Sequence, residues 1–210
     1  MIGLILATGR EAAPFLARAG IQQGGQAGEP PAPACYDLRP ARAMVICICG
    51  MGPARARAGA ELLLQKYGAA VVVNAGVAGA VSERLGVAAI CRVSAACLWP
   101  AEKIMHACGV DRWTELPGAV LATVEQPVFD PVRRAAIARH ADIVDMEGAA
   151  IAQCCQARGV PCYAVKGVTD LAGTNGRQRL LQNLDTVSEA LAERTWGELE
   201  LMSAGAQPLK

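Results

Sequence analysis

The chain has 210 residues, of which 20 are Lys or Arg and 19 Asp or Glu, for a formal charge of +1. That balance, with no basic stripe, excludes an electrostatic nucleic-acid binder, and no apolar run reaches the roughly 18–20 residues of a membrane-spanning helix. It is 53% hydrophobic but only 4% aromatic, so Ala, Val, Leu and Ile must build a core that a chain of this length buries without disulfides or metal.

A strand is predicted at 2–7 and a helix at 10–18, with Arg10 and Glu11 in its first turn. The stretch 20–40, rich in Gly, Pro and Gln, reads as a loop with at most a short strand at 35–38. Strand 44–49 runs into the turn Gly50-Met51-Gly52, and helix 53–67 opens on Pro53, where a first turn tolerates a missing N–H. Strand 70–74 leads into a second glycine-rich turn, Asn74-Ala75-Gly76-Val77-Ala78-Gly79, and a further strand is predicted at 87–93. Positions 98–117 hold Trp99 and Trp113 and show weak periodicity. Strand 119–123 precedes helix 131–140, again opened by a proline. The apolar pair Ile143-Val144 leads into Asp145-Met146-Glu147 and a helix at 145–158. Strand 161–167 runs into Thr169-Asp170, a polar turn at 172–178 into helix 179–199, and 203–210 is expected to fray. Strands alternating with helices of this length predict an α/β fold, in one domain, around a mostly parallel sheet.

In open α/β sheets ligands bind beyond the carboxyl ends of the strands. Glu11, Asp145, Glu147 and Asp170, with the two glycine-rich turns, fall at that edge. Each has a plainer reading: a tight turn for Gly50 to Gly52, close packing for Gly76 and Gly79, an N-cap for Asp145 or Asp170, a helix-dipole partner for Glu11. Glu147, inside the apolar run DMEGAAIAQCC, is the hardest to place on the surface. Carboxylates among apolar neighbours are costly unless paired or used.

Nine cysteines, an odd number, sit inside apolar runs, as Cys47, Cys49, Cys91 and Cys162 do. They read as reduced core thiols of a cytoplasmic protein. The start MIGLILATGREAAPF has no basic segment before its apolar stretch, so no secretion signal is expected. Cys154 and Cys155 are adjacent and His106 and His140 share no ligand spacing, so no zinc site is expected.

Four motifs, IGLILATGRE, CGMGPARARAGAELLL, VVVNAGVAGAV and VDMEGAAIAQCCQARGVPCYAVKGVTDLAG, together resemble the nucleoside phosphorylase family, and most closely its methylthioadenosine/S-adenosylhomocysteine nucleosidase branch. They occur in family order across positions 2 to 173. The resemblance implies a single-domain α/β fold, with a central mixed, mostly parallel curved sheet flanked by helices, and cleavage of an N-glycosidic bond. It implies that Asp170 is the general acid toward N7 of a purine and that Glu11 activates water. Glu147 would grip the ribose hydroxyls with Met146 packed on the sugar, and Gly76 and Thr169 complete the substrate-binding set. Such an acid must stay protonated near neutral pH, which requires desolvation.

The departures are informative. Family phosphorylases usually carry Arg where Asn74 stands and the nucleosidase carries Asn, which favours water as acceptor; both usually keep Ser at Val77. Arg10, Gly52 and Val77 form the possible phosphate or water site. The aromatic clamp over the base falls in the poorly matching TVEQPVF, where Phe129 or Val128 would line the pocket. The segment SAACLWPAEKIMHACGVDRW replaces the family's middle region and points to a different, large apolar 5′ substituent. Some bacterial relatives act on hopanoid-linked adenosine, others on futalosine-type intermediates. The leading expectation is a purine nucleoside hydrolase. The alternatives are a phosphorylase, with phosphate as co-substrate, and a non-catalytic nucleoside binder. A homodimer is implied, and no metal or redox cofactor.

Overall fold

The structure, a computed structural model, describes residues 1–22, 33–39, 41–100 and 106–205. The predicted loop at 20–40, the replaced segment from Ser94 to Trp113 and the tail therefore fall partly outside the described residues. In chain order the elements are β1 (Ile2–Leu6), α1 (Gly9–Arg18), β2 (Ala34–Asp37), β3 (Met44–Ile48), α2 (Pro53–Gln65), β4 (Val71–Ala80) and β5 (Ile90–Leu98). Then follow β6 (His106–Ala107), β7 (Gly118–Thr123), α3 (Pro131–Ile137), β8 (Ile143–Asp145), α4 (Gly148–Gln156), β9 (Cys162–Asp170) and α5 (Gly176–Gly205).

The strands form one mixed sheet in the order β2-β3-β1-β4-β8-β7-β5-β6, with β9 bridging β4 and β5. The bridge closes part of the sheet into a ring. β4 pairs parallel with β9, β9 antiparallel with β5, β5 parallel with β7, β7 parallel with β8, and β8 antiparallel with β4. Helices cover both faces. Phe15 and Leu16 of α1 and Leu191 and Leu199 of α5 are buried in one core cluster; Ala56, Ala60 and Leu63 of α2 and Ala149 to Ala152 of α4 are buried in another. Ala-rich helix faces let the backbones approach closely, which is how a core so poor in aromatics is filled.

Most predicted elements stand within a few residues of their expected ends, and three differ in ways that matter for the site. The stretch from Asn74 to Gly79 is not a turn: β4 runs through it to Ala80, held by β9 on one side as far as Gly79 and by β8 at its end. Its glycines serve close approach to carboxylates instead. The helix expected from Asp145 begins at Gly148, because Asp145 is the last residue of β8 and its carboxylate accepts the Gly148 N–H, the first of the helix. β9 extends beyond Gly167 to Asp170, which puts Thr169 and Asp170 on the strand itself. In the weakly periodic middle region β5 continues to Leu98 and β6 pairs with it, and α5 is longer than expected at both ends.

Candidate active site

A cavity of about 610 Å³ opens where β4, β8 and β9 meet the starts of α1, α4 and α5. Its lining includes Glu11, Glu147 and Asp170, and also Arg10, Val77, Val128, Phe129 and Met146. The predicted residues Gly52, Gly76 and Thr169 do not line it; they hold those that do.

Glu11 is the third residue of α1 and belongs to a capping box with Thr8. Its Oε2 accepts from the Thr8 N–H and hydroxyl, each at 2.8 Å, and its Oε1 accepts from the Val77 N–H at 3.0 Å. A Cβ on Gly76 would lie 3.0 Å from that Oε1, so glycine is what lets the carboxylate reach β4.

Glu147 stands between β8 and α4. Its Oε1 accepts the Gly52 N–H at 2.7 Å, which Gly52 presents by holding φ at 99°, a region open to glycine. Its Oε2 accepts the Met146 N–H at 3.2 Å. Burial, reinforced by the charges of Asp145 and Glu11, pushes the Glu147 carboxyl up to about 8, against the pull of Lys166 and of the Gly52 N–H.

Asp170, 2% exposed, ends β9. Its Oδ1 accepts from the Ala172 N–H at 2.7 Å and its Oδ2 from the Thr169 hydroxyl at 3.0 Å. Gly79 and Gly176 leave room for it: a Cβ on either would come within 3.2 Å and 3.0 Å of Oδ1. Burial raises its pKa, opposed by those two hydrogen bonds, so the shift runs toward a carboxyl that keeps its proton.

Asp145, itself part of the lining, pairs with Lys166, a buried residue that the motifs did not single out. Lys166 Nζ is 2.8 Å from Asp145 Oδ2, and Asp145 also accepts from the Thr123 hydroxyl at 2.6 Å and from the N–H groups of Glu147 and Gly148. Burial works against the ammonium, but Asp145, Glu147 and Glu11 together hold the Lys166 pKa above its ordinary value. A lysine amid the apolar residues of YAVKGVTD was the available signal for it.

Arg10 reaches the lining, but its guanidinium is engaged by both oxygens of Asp185 at 3.0 and 2.9 Å. Asn74 does not line the cavity; its amide donates to the Ile5 carbonyl at 3.2 Å. Much of the lining is apolar: Val124, Val128 and Phe129, and Leu180, Leu181 and Leu184 of α5, with Leu181 and Met51 exposed. Among the described residues no group of three or more His, Cys, Asp or Glu is placed to hold a metal ion, and no helix is long and apolar enough to cross a membrane.

A sequence profile described as the Phosphorylase superfamily matches residues 1–99 and 101–197. The fold is similar to that of the 5′-methylthioadenosine/S-adenosylhomocysteine nucleosidase of S. pneumoniae, at 19% identity over 96% of this chain and 99% of that one, with a TM-score of 0.81. The nucleosidase of the same name from Helicobacter pylori matches at 18% identity, over 95% and 97% of the two chains, with a TM-score of 0.79. The futalosine hydrolase of Helicobacter pylori matches at 19% identity, over 96% and 97%, with a TM-score of 0.77. No curated protein matches the sequence.

Proposed function

The chain belongs to the phosphorylase superfamily, whose members act on the N-glycosidic bond of nucleosides, and we propose that it hydrolyses a purine nucleoside bearing an apolar 5′ substituent. The substrate class is that of methylthioadenosine, S-adenosylhomocysteine or a larger 5′-adenosyl compound. The observation that carries the reading is the convergence of Glu11, Glu147 and Asp170 on one cavity, each held by donors from a different part of the fold.

Asp170 donates its proton to N7 of the base, which draws electrons from the C1′–N9 bond. Glu147 accepts from the ribose hydroxyls, with Met146 against the sugar. Glu11 orients water and takes its proton as the water oxygen bonds to C1′ and the C1′–N9 bond breaks. One carboxyl serves the leaving group and another the water, across an oxocarbenium-like transition state.

Water is favoured over phosphate by charge. The Val77 N–H and both Thr8 donors, which would suit an anion, are occupied by the Glu11 carboxylate, and Arg10 is committed to Asp185. A phosphate there would face a carboxylate at close range. The apolar part of the lining suits an apolar 5′ group. We read the enzyme further as a cytoplasmic homodimer that uses no metal or redox cofactor.

The test is chromatography of the products from methylthioadenosine, S-adenosylhomocysteine, adenosine, inosine and an adenosine with a bulky apolar 5′ group, each with and without phosphate. Free base and free sugar without phosphate is the expected result. Base release only with phosphate would make the enzyme a phosphorylase, and binding without release a nucleoside-binding relative.

A further inference from the structure

The margin of the sheet farthest from the ring carries chemistry that the site does not use. β2 is the terminal strand, and its Cys35 stands directly opposite Cys47 of β3. The phase of the ladder can be read from Leu38, whose N–H donates to the Met44 carbonyl at 3.1 Å. Hydrogen-bonded and non-hydrogen-bonded pairs alternate in an antiparallel ladder, so counting back makes Tyr36 with Ile46 hydrogen-bonded and Cys35 with Cys47 not. In pairs of the second kind the Cα atoms approach to about 4.5 Å with side chains on one face, and a disulfide spans Cα separations of about 4.4–6.8 Å.

The two thiols differ in setting. Cys47 is fully buried and Cys35 half-buried, and Cys35 packs with Tyr67 against the cluster that contains Cys47. Two cations flank that tyrosine: the Arg39 guanidinium at 5.5 Å and the Lys66 ammonium at 5.4 Å from the ring centroid. The Cys35 pKa is drawn down by a hydrogen bond with Cys47, and further by Tyr67 and the Lys66 charge, against its burial; Cys47 is pushed the other way. Arg39 is itself paired with Asp37, so it is the Lys66 charge that acts on the half-buried Cys35 thiol, and such a thiol beside a sheltered second one is the arrangement of an attacking and a resolving cysteine.

We propose that Cys35 and Cys47 are a hydroperoxide-reactive dithiol that closes to a disulfide across the ladder of β2 and β3. The Cys35 thiolate attacks one peroxide oxygen and the O–O bond breaks. Cys35 becomes a sulfenic acid, and the second oxygen leaves as water or alcohol after taking a proton. The Cys47 sulfur then attacks the Cys35 sulfur, the S–O bond breaks, and the hydroxyl leaves as water with the Cys47 proton. Two thiols have given two electrons and two protons to the peroxide. The cross-link ties the margin strand to β3, from whose end the chain runs on to Gly52, the donor to Glu147.

The experiment treats the reduced full chain with stoichiometric hydrogen peroxide, measures the intact mass, then blocks the remaining thiols and maps the peptides. Wild type should lose about 2 Da, as one disulfide does, and yield one cross-linked peptide pair containing Cys35 and Cys47. Cys35→Ser should show neither. Cys47→Ser should accumulate a sulfenic acid at Cys35 that a 1,3-diketone probe traps; should that variant not fold, Cys35→Ser with the wild-type peptide map still decides. A gain of about 32 Da at Cys35, the mark of a sulfinic acid, a cross-link between other cysteines, or an unreacted Cys35 would overturn the proposal. None of these readouts depends on the substrate of the cavity.

Discussion

Lys166 and Asp145 form an ion pair 2.8 Å long whose side chains are 2% and 1% exposed, and Asp145 lines the cavity beside Glu147. A Cβ on Gly76 would meet Glu11 Oε1 at 3.0 Å and Lys166 Nζ at 3.5 Å, which shows how tightly the pair backs the site. Breaking a buried pair from one side leaves the other charge uncompensated. Lys166→Met should therefore cost about 3–5 kcal/mol in urea unfolding. Lys166→Met with Asp145→Asn should recover much of that loss; equal costs for the single and double variants would show that Lys166 does not act by balancing Asp145.

Asp170→Asn should keep the fold, since the amide oxygen can still accept from the Ala172 N–H. It cannot give a proton to the base, so base release should fall by roughly 10²–10⁴, the usual worth of a general acid. Wild-type activity should decline as pH rises through the elevated Asp170 pKa, and the variant should lack that limb. Near-normal turnover would remove Asp170 from the mechanism.

The raised pKa of Glu147 also makes a statement about stability. Between its ordinary 4.5 and about 8, the native state keeps a proton that the unfolded chain releases. Stability therefore falls as pH rises through that window and levels off above it, by an amount on the order of a few kcal/mol. Thermal or urea unfolding at a series of pH values should show this slope, and Glu147→Gln should flatten it.

Gly76→Ala would press a methyl group to 3.0 Å from Glu11 Oε1, while Thr8 and Val77 hold that carboxylate in place. The carboxylate must give way by a few tenths of an ångström, so kcat should fall by less than the roughly 10²-fold that a misplacement of about 1 Å costs, with the unfolding midpoint little changed. Full activity in this variant would show that the position of Glu11 is not critical.

Leu181 is 53% exposed on α5 and lines the cavity. Leu181→Ser should cut kcat/KM for an adenosine with an apolar 5′ group by about 10-fold, in line with the loss of a few methylene contacts. Adenosine itself should be unaffected. Equal losses on both substrates would place Leu181 away from the 5′ end.

The carboxylates were legible because each follows an apolar run at a place where solvent exposure is the costlier reading, and the topology brings Glu11, Glu147 and Asp170 together. The glycine-rich run after Asn74 reads as a turn because Gly and Asn are poor strand formers. It is a strand because β9 and β8 pair with it, and its glycines answer to Glu11 and Asp170 rather than to a turn. Lys166 was hidden for a related reason. A single charge in a short strand looks like ordinary alternation until burial on both faces is known, and only the partner Asp145, 21 positions earlier, accounts for it. The cation expected at Arg10 was in turn claimed by Asp185, a pairing between α1 and α5 that no local pattern announces.

The ring formed by β4, β9, β5, β7 and β8 has a mechanical consequence. Every strand in it is clasped on both sides, so the strands bearing Asp145, Asp170 and Gly76 shift together or not at all. The proposed acid, Asp170, is carried on that frame, and the proposed base, Glu11, on α1 outside the ring, is tied to it through the Val77 N–H of β4. Adjustment to the shape of a substrate falls to the rim, to positions 124–129 and the first turns of α5, which lie off the ring. On the proposed function, such a division leaves the choice of 5′ group free to drift in evolution while the residues proposed to break the bond stay as they are.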